Sequence, residues 1–393
     1  SIGAYKLPHA VRASPSATGD RSLSSQMRVL LIKISSLGDV LHALPALTDA
    51  ANAIPGIQFD WVVEAPFAEV PAWHPAVDRV IPVSIRRWRR SPLKALLSGE
   101  WSSFKAALKA REYDLVLDAQ GLIKSGLITR MARGPKSGLD RNSAREPFAS
   151  RFYDHPLAVQ KGEHAIVRLR KLFALALGYA MPDTEADSGI RVVGQQSSKP
   201  TILFVHGTTW ITKHWPDSYW TALAVLVNSA GYRVMLPWGS EQEQQRAEQI
   251  AEGRDAVILP KSSLTELVGQ FQQVEGMICV DSGLAHLGAA LKIPSVTIYG
   301  STNPGLTGTW GENQDHVTAS LECSPCLKRM CQFPPPSRGT TPGMEEIERS
   351  RKPEPRVREG VETHSNHIEP ICYQELTPEK VWDHLSKSLN SST

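Results

Sequence analysis

The chain has no uninterrupted apolar run approaching the roughly 20 residues of a membrane-spanning helix, which excludes such a span. It has only five cysteines in 393 residues. That is too few for a disulfide scaffold, and an odd count with Cys279 inside an apolar run fits reduced thiols in a cytoplasmic protein. The net charge is only +3, and basic residues nowhere interleave with aromatics over a long stretch, which argues against nucleic acid as a partner. Residues 1–26 lack the charged-then-apolar layout of a signal peptide. Rich in Ser, Ala and Pro, they read as a disordered extension, with Met27 as the functional start. No short-period repeat is present. No G-x-G-x-x-G follows the first strand, whose turn reads Ser35-Ser36-Leu37-Gly38-Asp39, and this counts against a dinucleotide-linked oxidoreductase.

What is present is ordinary soluble material, 41% apolar and 21% charged, in a chain long enough for two hydrophobic cores. From Met27 strand and helix patterns alternate: Arg28–Ile34, a helix around Leu41–Ala53, Gln58–Glu64, Arg79–Ser84, a long helical pattern within Pro92–Arg111, Asp114–Asp118, then helices near Lys124–Arg133 and Glu163–Gly178. Pro45 should kink the first helix or mark its true start. Periodicity vanishes between Tyr179 and Pro200, then the alternation restarts at Thr201–His206 and runs to Ser295–Tyr299. Strands separated by helices of this length predict α/β domains with doubly wound parallel sheets. The expected layout is a first domain over 27–180, a linker over 181–199, a second domain over 200–331, a disordered insertion over 332–370 and a helix-bearing terminal segment over 371–393. The last helix, Pro378–Leu389, needs an apolar surface, and packing across both domains would supply one.

Chemistry gathers at the ends of strands. After Val29-Leu30-Leu31 the chain turns through Ser35-Ser36-Leu37-Gly38-Asp39 into a helix, where Asp39 reads either as a helix N-cap or as a catalytic base at a sheet's carboxyl edge. His206-Gly207-Thr208-Thr209, followed by Lys213-His214-Trp215-Pro216, supplies amides, hydroxyls and a cation suited to a phosphate. Val280-Asp281-Ser282-Gly283-Leu284-Ala285-His286 repeats that logic, a strand ending at a helix start. Two such sites in one half suggest a diphosphate, and Glu243 could accept from ribose hydroxyls. In the first half, Asp118-Ala119-Gln120-Gly121 ends another strand, Arg86-Arg87-Trp88-Arg89-Arg90 is a compact cationic run, and Arg145 lies near a helix start. Such cations suit a phosphorylated or carboxylated acceptor or, equally, a solvated face. Cys323-Ser324-Pro325-Cys326, with Cys331 and Cys372, could hold zinc or simply pin a loop as free thiols.

Six separated motifs resemble, in order, the ADP-heptose:lipopolysaccharide heptosyltransferases of glycosyltransferase family 9. They are Ser35–Leu47, Phe59–Glu64, Ile85–Trp88, Asp118–Leu122, Lys213–Pro216 and Asp281–Leu287. The resemblance covers about residues 27–320. It implies a GT-B fold, two Rossmann-like domains facing a central cleft, with the nucleotide sugar on the second and the acceptor on the first. It implies inverting transfer of L-glycero-D-manno-heptose from ADP-heptose to Kdo of the lipid A inner core, with transfer to a heptose, as in a second branch of the family, the alternative. A module that binds the nucleotide sugar without catalysis is a more distant one. By the resemblance, the base falls on Asp39. Donor contacts fall on Thr208, Thr209, Lys213, Glu243, Asp281, Gly283, Leu284 and His286, and acceptor contacts on Lys33, Arg86, Arg87, Gln120 and Arg145. No Asp-x-Asp motif appears, which suits catalysis without a metal, and no cofactor is implied. Peripheral contact with the cytoplasmic face of the inner membrane follows from such an acceptor. Three features depart from the pattern: the first 26 residues, the insertion after Cys331, and a Cys323–Cys331 segment more like the second branch.

Overall fold

Strands buried on both faces of a parallel sheet are apolar along their whole length. Val29-Leu30-Leu31-Ile32, Ile202-Leu203-Phe204-Val205 and Met277-Ile278-Cys279-Val280 are buried throughout. The computed structural model describes residues 26–191, 199–331 and 370–391. The expected extension, apart from residue 26, the expected insertion, apart from residue 370, and residues 192–198 of the expected linker lie outside the described residues.

In chain order the first elements are β1 (Arg28–Ile32), α1 (Leu37–Leu41), α2 (Leu44–Ala53), β2 (Gln58–Glu64), α3 (Glu69–Ala72), β3 (Val77–Val83) and α4 (Ile85–Arg90). There follow α5 (Pro92–Leu97), α6 (Glu100–Lys109), β4 (Leu115–Asp118), α7 (Ile123–Met131), β5 (Lys136–Leu139), β6 (His155–Leu157) and α8 (Ala165–Leu177). Next come β7 (Thr201–Val205), α9 (Asp217–Ser229), β8 (Arg233–Leu236), α10 (Glu241–Ala251), β9 (Ala256–Ile258), α11 (Leu264–Phe271) and β10 (Gly276–Val280). The last are α12 (Gly283–Ala290), β11 (Ser295–Tyr299), α13 (Pro304–Thr307), β12 (Gln314–Thr318) and α14 (Pro378–Ser391).

These elements form two compact units. The first takes residues up to 35, 43–161 and 167–189; the second takes 36–42, 162–166 and 190 onward. The first unit carries a parallel sheet of order β3-β2-β1-β4-β5-β6, the second one of order β12-β11-β10-β7-β8-β9. Both orders start from a central strand and reverse beside it, between β1 and β4 in one and between β7 and β10 in the other. In sheets of this kind ligands bind outside the carboxyl ends of the strands at that reversal. Register sets the turns: Ile32 lies opposite Asp118, and Val205 lies opposite Cys279.

The core of the first unit includes Leu30, Ile32, Val62, Phe104 and Val116, with Ile85, Trp88 and Trp101 packed against it. The core of the second is larger in aromatics, with Phe204, Trp215, Trp220 and Tyr373. There the expected terminal helix finds its surface: Val381 and Leu385 of α14 are fully buried, and Trp382 and Leu389 pack against the same cluster. The long helical pattern at 92–111 breaks at Gly99, whose φ is +74°, into α5 and α6. The cationic run itself is the separate helix α4. Pro45 stands in the first turn of α2, so the pattern at 41–53 is two helices, α1 and α2. The sequence pattern does not mark β5, β6 or β12, because these strands are short, or half-exposed edges, or both.

Candidate active site

The second unit gathers charged and hydroxyl groups at the carboxyl ends of β7, β10 and β11. Asp281, just past β10, is 7% exposed. Its carboxylate takes the Lys213 ammonium at 2.6 Å and the Thr302 hydroxyl at 2.5 Å, while its main-chain carbonyl accepts from Thr208 Oγ1 at 3.0 Å. One aspartate thus ties three turns together. An ammonium has three donors, so Lys213 can hold Asp281 and still reach an anion. The Lys213 ammonium also lies 4.7 Å from the Trp210 ring centre, with Arg329 5.2 Å from the same centre. Next to Asp281, helix α12 begins at Gly283, and the Ser282 hydroxyl ahead of it caps nothing. Ser282 Oγ and Ser301 Oγ are buried without hydrogen-bond partners, which leaves buried polar atoms in need of one beside the free amides of a helix start.

Asp39 belongs to this same unit. Its carboxylate accepts from the Ser36 amide at 2.9 Å and the Ser36 hydroxyl at 3.1 Å. The N-cap of α1 is therefore Ser36, and Asp39 is the third helical residue that answers it, not the cap residue itself. Helix α1 lies hard on α12, and two glycines make the approach possible: a Cβ at Gly38 would stand 2.5 Å from His286 Cδ2, and one at Gly283 would stand 2.8 Å from Leu37 Cδ2. One turn beyond Asp39, His42 Nε2 meets His286 Nδ1 at 3.2 Å.

Burial pushes the His286 imidazole below its ordinary pKa, against the opposite pull of the Asp281 and Asp39 charges. A neutral ring carries one N–H and one lone pair, so it can share this hydrogen bond and present its other nitrogen to the site. His164, edge-on to His42 at 5.5 Å and hydrogen-bonded through Nε2 to the Gly308 carbonyl at 3.0 Å, is pushed down to about 4, first by burial. His206, at the end of β7, is pushed down to about 3 by burial.

Glu243 stands on α10, where its carboxylate accepts from the Gly239 and Ser240 amides at 2.7 and 3.2 Å. A Cβ at Gly207 would fall 2.2 Å from Glu243 Oε1, so the bare backbone of the β7 turn is what admits this carboxylate. Thr209 is exposed and Leu284 half-buried.

In the first unit the expected acceptor residues are spread over more of the surface. Lys33 is 6% exposed, with its ammonium on the Ala119 carbonyl at 3.2 Å. The Gln120 amide laces the turn after β1: Oε1 accepts from the Ile34 amide at 2.9 Å and the Ser35 amide at 3.3 Å, and Nε2 donates to the Ser35 carbonyl at 2.9 Å. Arg86, Arg87 and Arg145 are exposed, and Arg87 pairs with Glu100 at 2.5 Å. Asp118 is fully buried, which raises its pKa, and it accepts from Tyr153 Oη at 2.8 Å and the main-chain N–H of Gln120 at 2.8 Å.

Cys323, Cys326, Cys331 and Cys372, none of them in a disulfide, line one small cavity. Among the described residues no group of three or more His, Cys, Asp or Glu side chains could hold a metal ion.

Sequence reasoning missed Thr302, Trp210, His42 and Tyr153. Thr302 was legible, since Gly300-Ser301-Thr302 follows an apolar strand as Gly207-Thr208-Thr209 does. Tyr153 was not, because 35 residues separate it from Asp118.

A family model described as glycosyltransferase family 9 (heptosyltransferase) matches residues 101–336. The chain is 48% identical over 368 residues to lipopolysaccharide heptosyltransferase 1 of Pseudomonas aeruginosa, covering 92% of this chain and 98% of that protein. It is 50% identical over 295 residues to the protein of the same name from Escherichia coli strain K12, covering 73% of this chain and 92% of that one. The solved structure of the Escherichia coli heptosyltransferase WaaC with ADP matches at a TM-score of 0.73 and 48% identity, covering 75% of this chain and 93% of that one.

Proposed function

The chain belongs to glycosyltransferase family 9, the heptosyltransferases, and from that premise we propose that it moves L-glycero-D-manno-heptose from ADP-heptose to Kdo of the lipid A inner core. It is a glycosyltransferase of α/β, GT-B fold. The observation that carries the specific reaction is identity of 48% across nearly the whole length of a heptosyltransferase 1. Transfer to a heptose, the second-branch reaction, has weaker support.

The transfer is a single inverting displacement. The acceptor hydroxyl attacks the anomeric carbon from the face opposite the diphosphate, the bond to the diphosphate oxygen breaks, and Asp39 takes the hydroxyl proton as general base. Its half-buried place on α1, next to the donor groups of α12, supports that role. ADP departs with added negative charge, met by the Lys213 ammonium and the Gly283 and Leu284 amides, fixed dipoles that need no reorganisation. Thr208 and Thr209 bond phosphate oxygens, Asp281 orients Lys213, Glu243 takes the ribose hydroxyls, and neutral His286 donates to the diphosphate. Lys33, Arg86, Arg87 and Arg145 hold the anionic acceptor, and Gln120 contributes through the turn that it laces. The acceptor is a membrane lipid, so the site of work is the cytoplasmic face of the inner membrane. No described helix is long and apolar enough to cross a membrane.

Incubation with ADP-heptose and a Kdo-lipid A acceptor, read by mass spectrometry, should show the mass of one heptose added. If only an acceptor that already bears a heptose reacts, the second-branch reaction is the correct one; if neither reacts, the proposal fails.

A further inference from the structure

The segment after β12 is tied to the donor-site turns at three points. The Leu327 amide donates to the Ser301 carbonyl at 2.8 Å, Ser324 Oγ donates to the Gly300 carbonyl at 2.5 Å, and Thr212 Oγ1 donates to the Lys328 carbonyl at 2.5 Å. The first two bonds reach the turn after β11, and the third reaches the turn after β7, beside Lys213. Among these anchors Leu327 is held at a φ of +55°, in the left-handed region that a side chain disfavours. Strain of that kind persists only where its surroundings impose it, and it gathers at functional sites. Two residues on, the Arg329 guanidinium lies 5.2 Å from the centre of the Trp210 ring, the same ring that the Lys213 ammonium meets at 4.7 Å.

An exposed arginine on a loop is ordinary. Arg329 differs in its anchored placement and in the charge around it. Among the described residues its guanidinium takes no hydrogen bond and no ion pair beyond the contact with the ring, so its five N–H donors stay open to a ligand. Lys213 is already matched by the Asp281 carboxylate at 2.6 Å, and that pair brings no net charge. A diphosphate is anionic in the donor and gains a further negative charge when its bond to the sugar breaks.

We propose that Arg329 is a second cation of the donor site: its guanidinium, steadied on Trp210, pairs with the β-phosphate of ADP-heptose and meets the charge that ADP carries away. A guanidinium suits this task because it stacks on an aromatic face and bonds a phosphate through two N–H groups at once. The proposal rests on the reading that the donor is ADP-heptose, and it adds to that site a cation from a separate segment of the chain.

The test is calorimetry of the full chain with ADP and with AMP, beside steady-state transfer kinetics. R329Q should weaken ADP binding about tenfold at low salt, the lower end for a hydrogen bond to a charged group, and the difference should shrink as salt rises. AMP, which lacks the β-phosphate, should bind R329Q and the parent alike. For ADP-heptose, kcat/KM should fall further than ADP affinity does, since the interaction strengthens as charge grows on the leaving oxygen. The melting temperature should not move, because the side chain is exposed. In a W210L background R329Q should cost less than in the parent, the sign of coupled neighbours. Equal ADP affinity for R329Q and the parent, an equal loss for AMP, or a full R329Q effect in the W210L background overturns the proposal. If the parent itself binds no ADP, the donor reading fails and the proposal with it; if the parent binds ADP and R329Q changes nothing, only the proposal fails.

Discussion

The two units share one strand order and use it differently. At the reversal of the first sheet the polar groups are spent on the protein itself: Gln120 on the turn after β1, Lys33 on the Ala119 carbonyl, and Asp118 on Tyr153 and nearby amides. At the reversal of the second sheet Asp281 gathers Lys213, Thr208 and Thr302, two serine hydroxyls stay without partners, and a helix start keeps its amides. A shared topology therefore decides where a site can lie, and the partners that each side chain has already taken set the two reversals apart. The segment with Asp39 sharpens the contrast, because it follows the first strand of the first unit and packs with the second.

The largest test of that contrast is Asp39→Ala. Turnover should fall by about 10²–10⁴, the range for a general base, with ADP affinity kept, as measured by steady-state kinetics and calorimetry. Near-normal turnover in a folded variant would return Asp39 to a structural role at the start of α1, where it bonds Ser36.

Acid should separate the units next. His164 and His206, both in the second unit, have folded pKa values of about 4 and about 3, below the ordinary histidine value. The unfolded chain therefore binds more protons than the native one from about pH 6.5 downward, and stability is lost as pH falls through that window, by about 3 kcal/mol for a shift of the His164 size. Asp118 in the first unit has a raised pKa, so the native state there binds the extra proton and gains as pH falls. Hydrogen exchange followed by mass spectrometry at decreasing pH should show β7 and β10 losing protection before β1 and β4. The reverse order would break the comparison.

Lys213→Ala should weaken ADP binding by about 1.5–3 kcal/mol, the worth of a hydrogen bond to a charged group. Unchanged affinity in calorimetry would remove Lys213 from the donor site.

The smallest effect is expected on the scaffold side. Tyr153→Phe takes one donor from buried Asp118 and should cost about 1–2 kcal/mol in denaturant unfolding, with ADP affinity unmoved. A loss of ADP affinity equal to that of the Lys213 variant would mean that the first reversal is more than scaffold.

Much of this was legible in the chain. Apolar strand runs followed by Gly, Ser, Thr and Asp marked Asp39, Thr208 and Asp281, because a strand's end and a helix's start impose local demands on backbone and caps. The resemblance of six motifs foretold the family that the comparisons bear out. The strands β5, β6 and β12 were not legible: β6 and β12 are half-solvated edges that need little apolar pattern, and β5 is four residues of which only Leu139 is a large apolar one.

By itself the sequence determined the α/β alternation and which strands end in turns of Gly, Ser, Thr and Asp, since periodicity, capping and turn residues act over a few positions. Only the tertiary structure decided the partnerships. Gly38 lies under His286 and His42 reaches that same ring across 244 positions, while Gln120, which reads as a ligand contact, is engaged by the main chain of Ile34 and Ser35. Hydrogen-bond partners are chosen by distance in space, and that distance exists only once the sheets have packed.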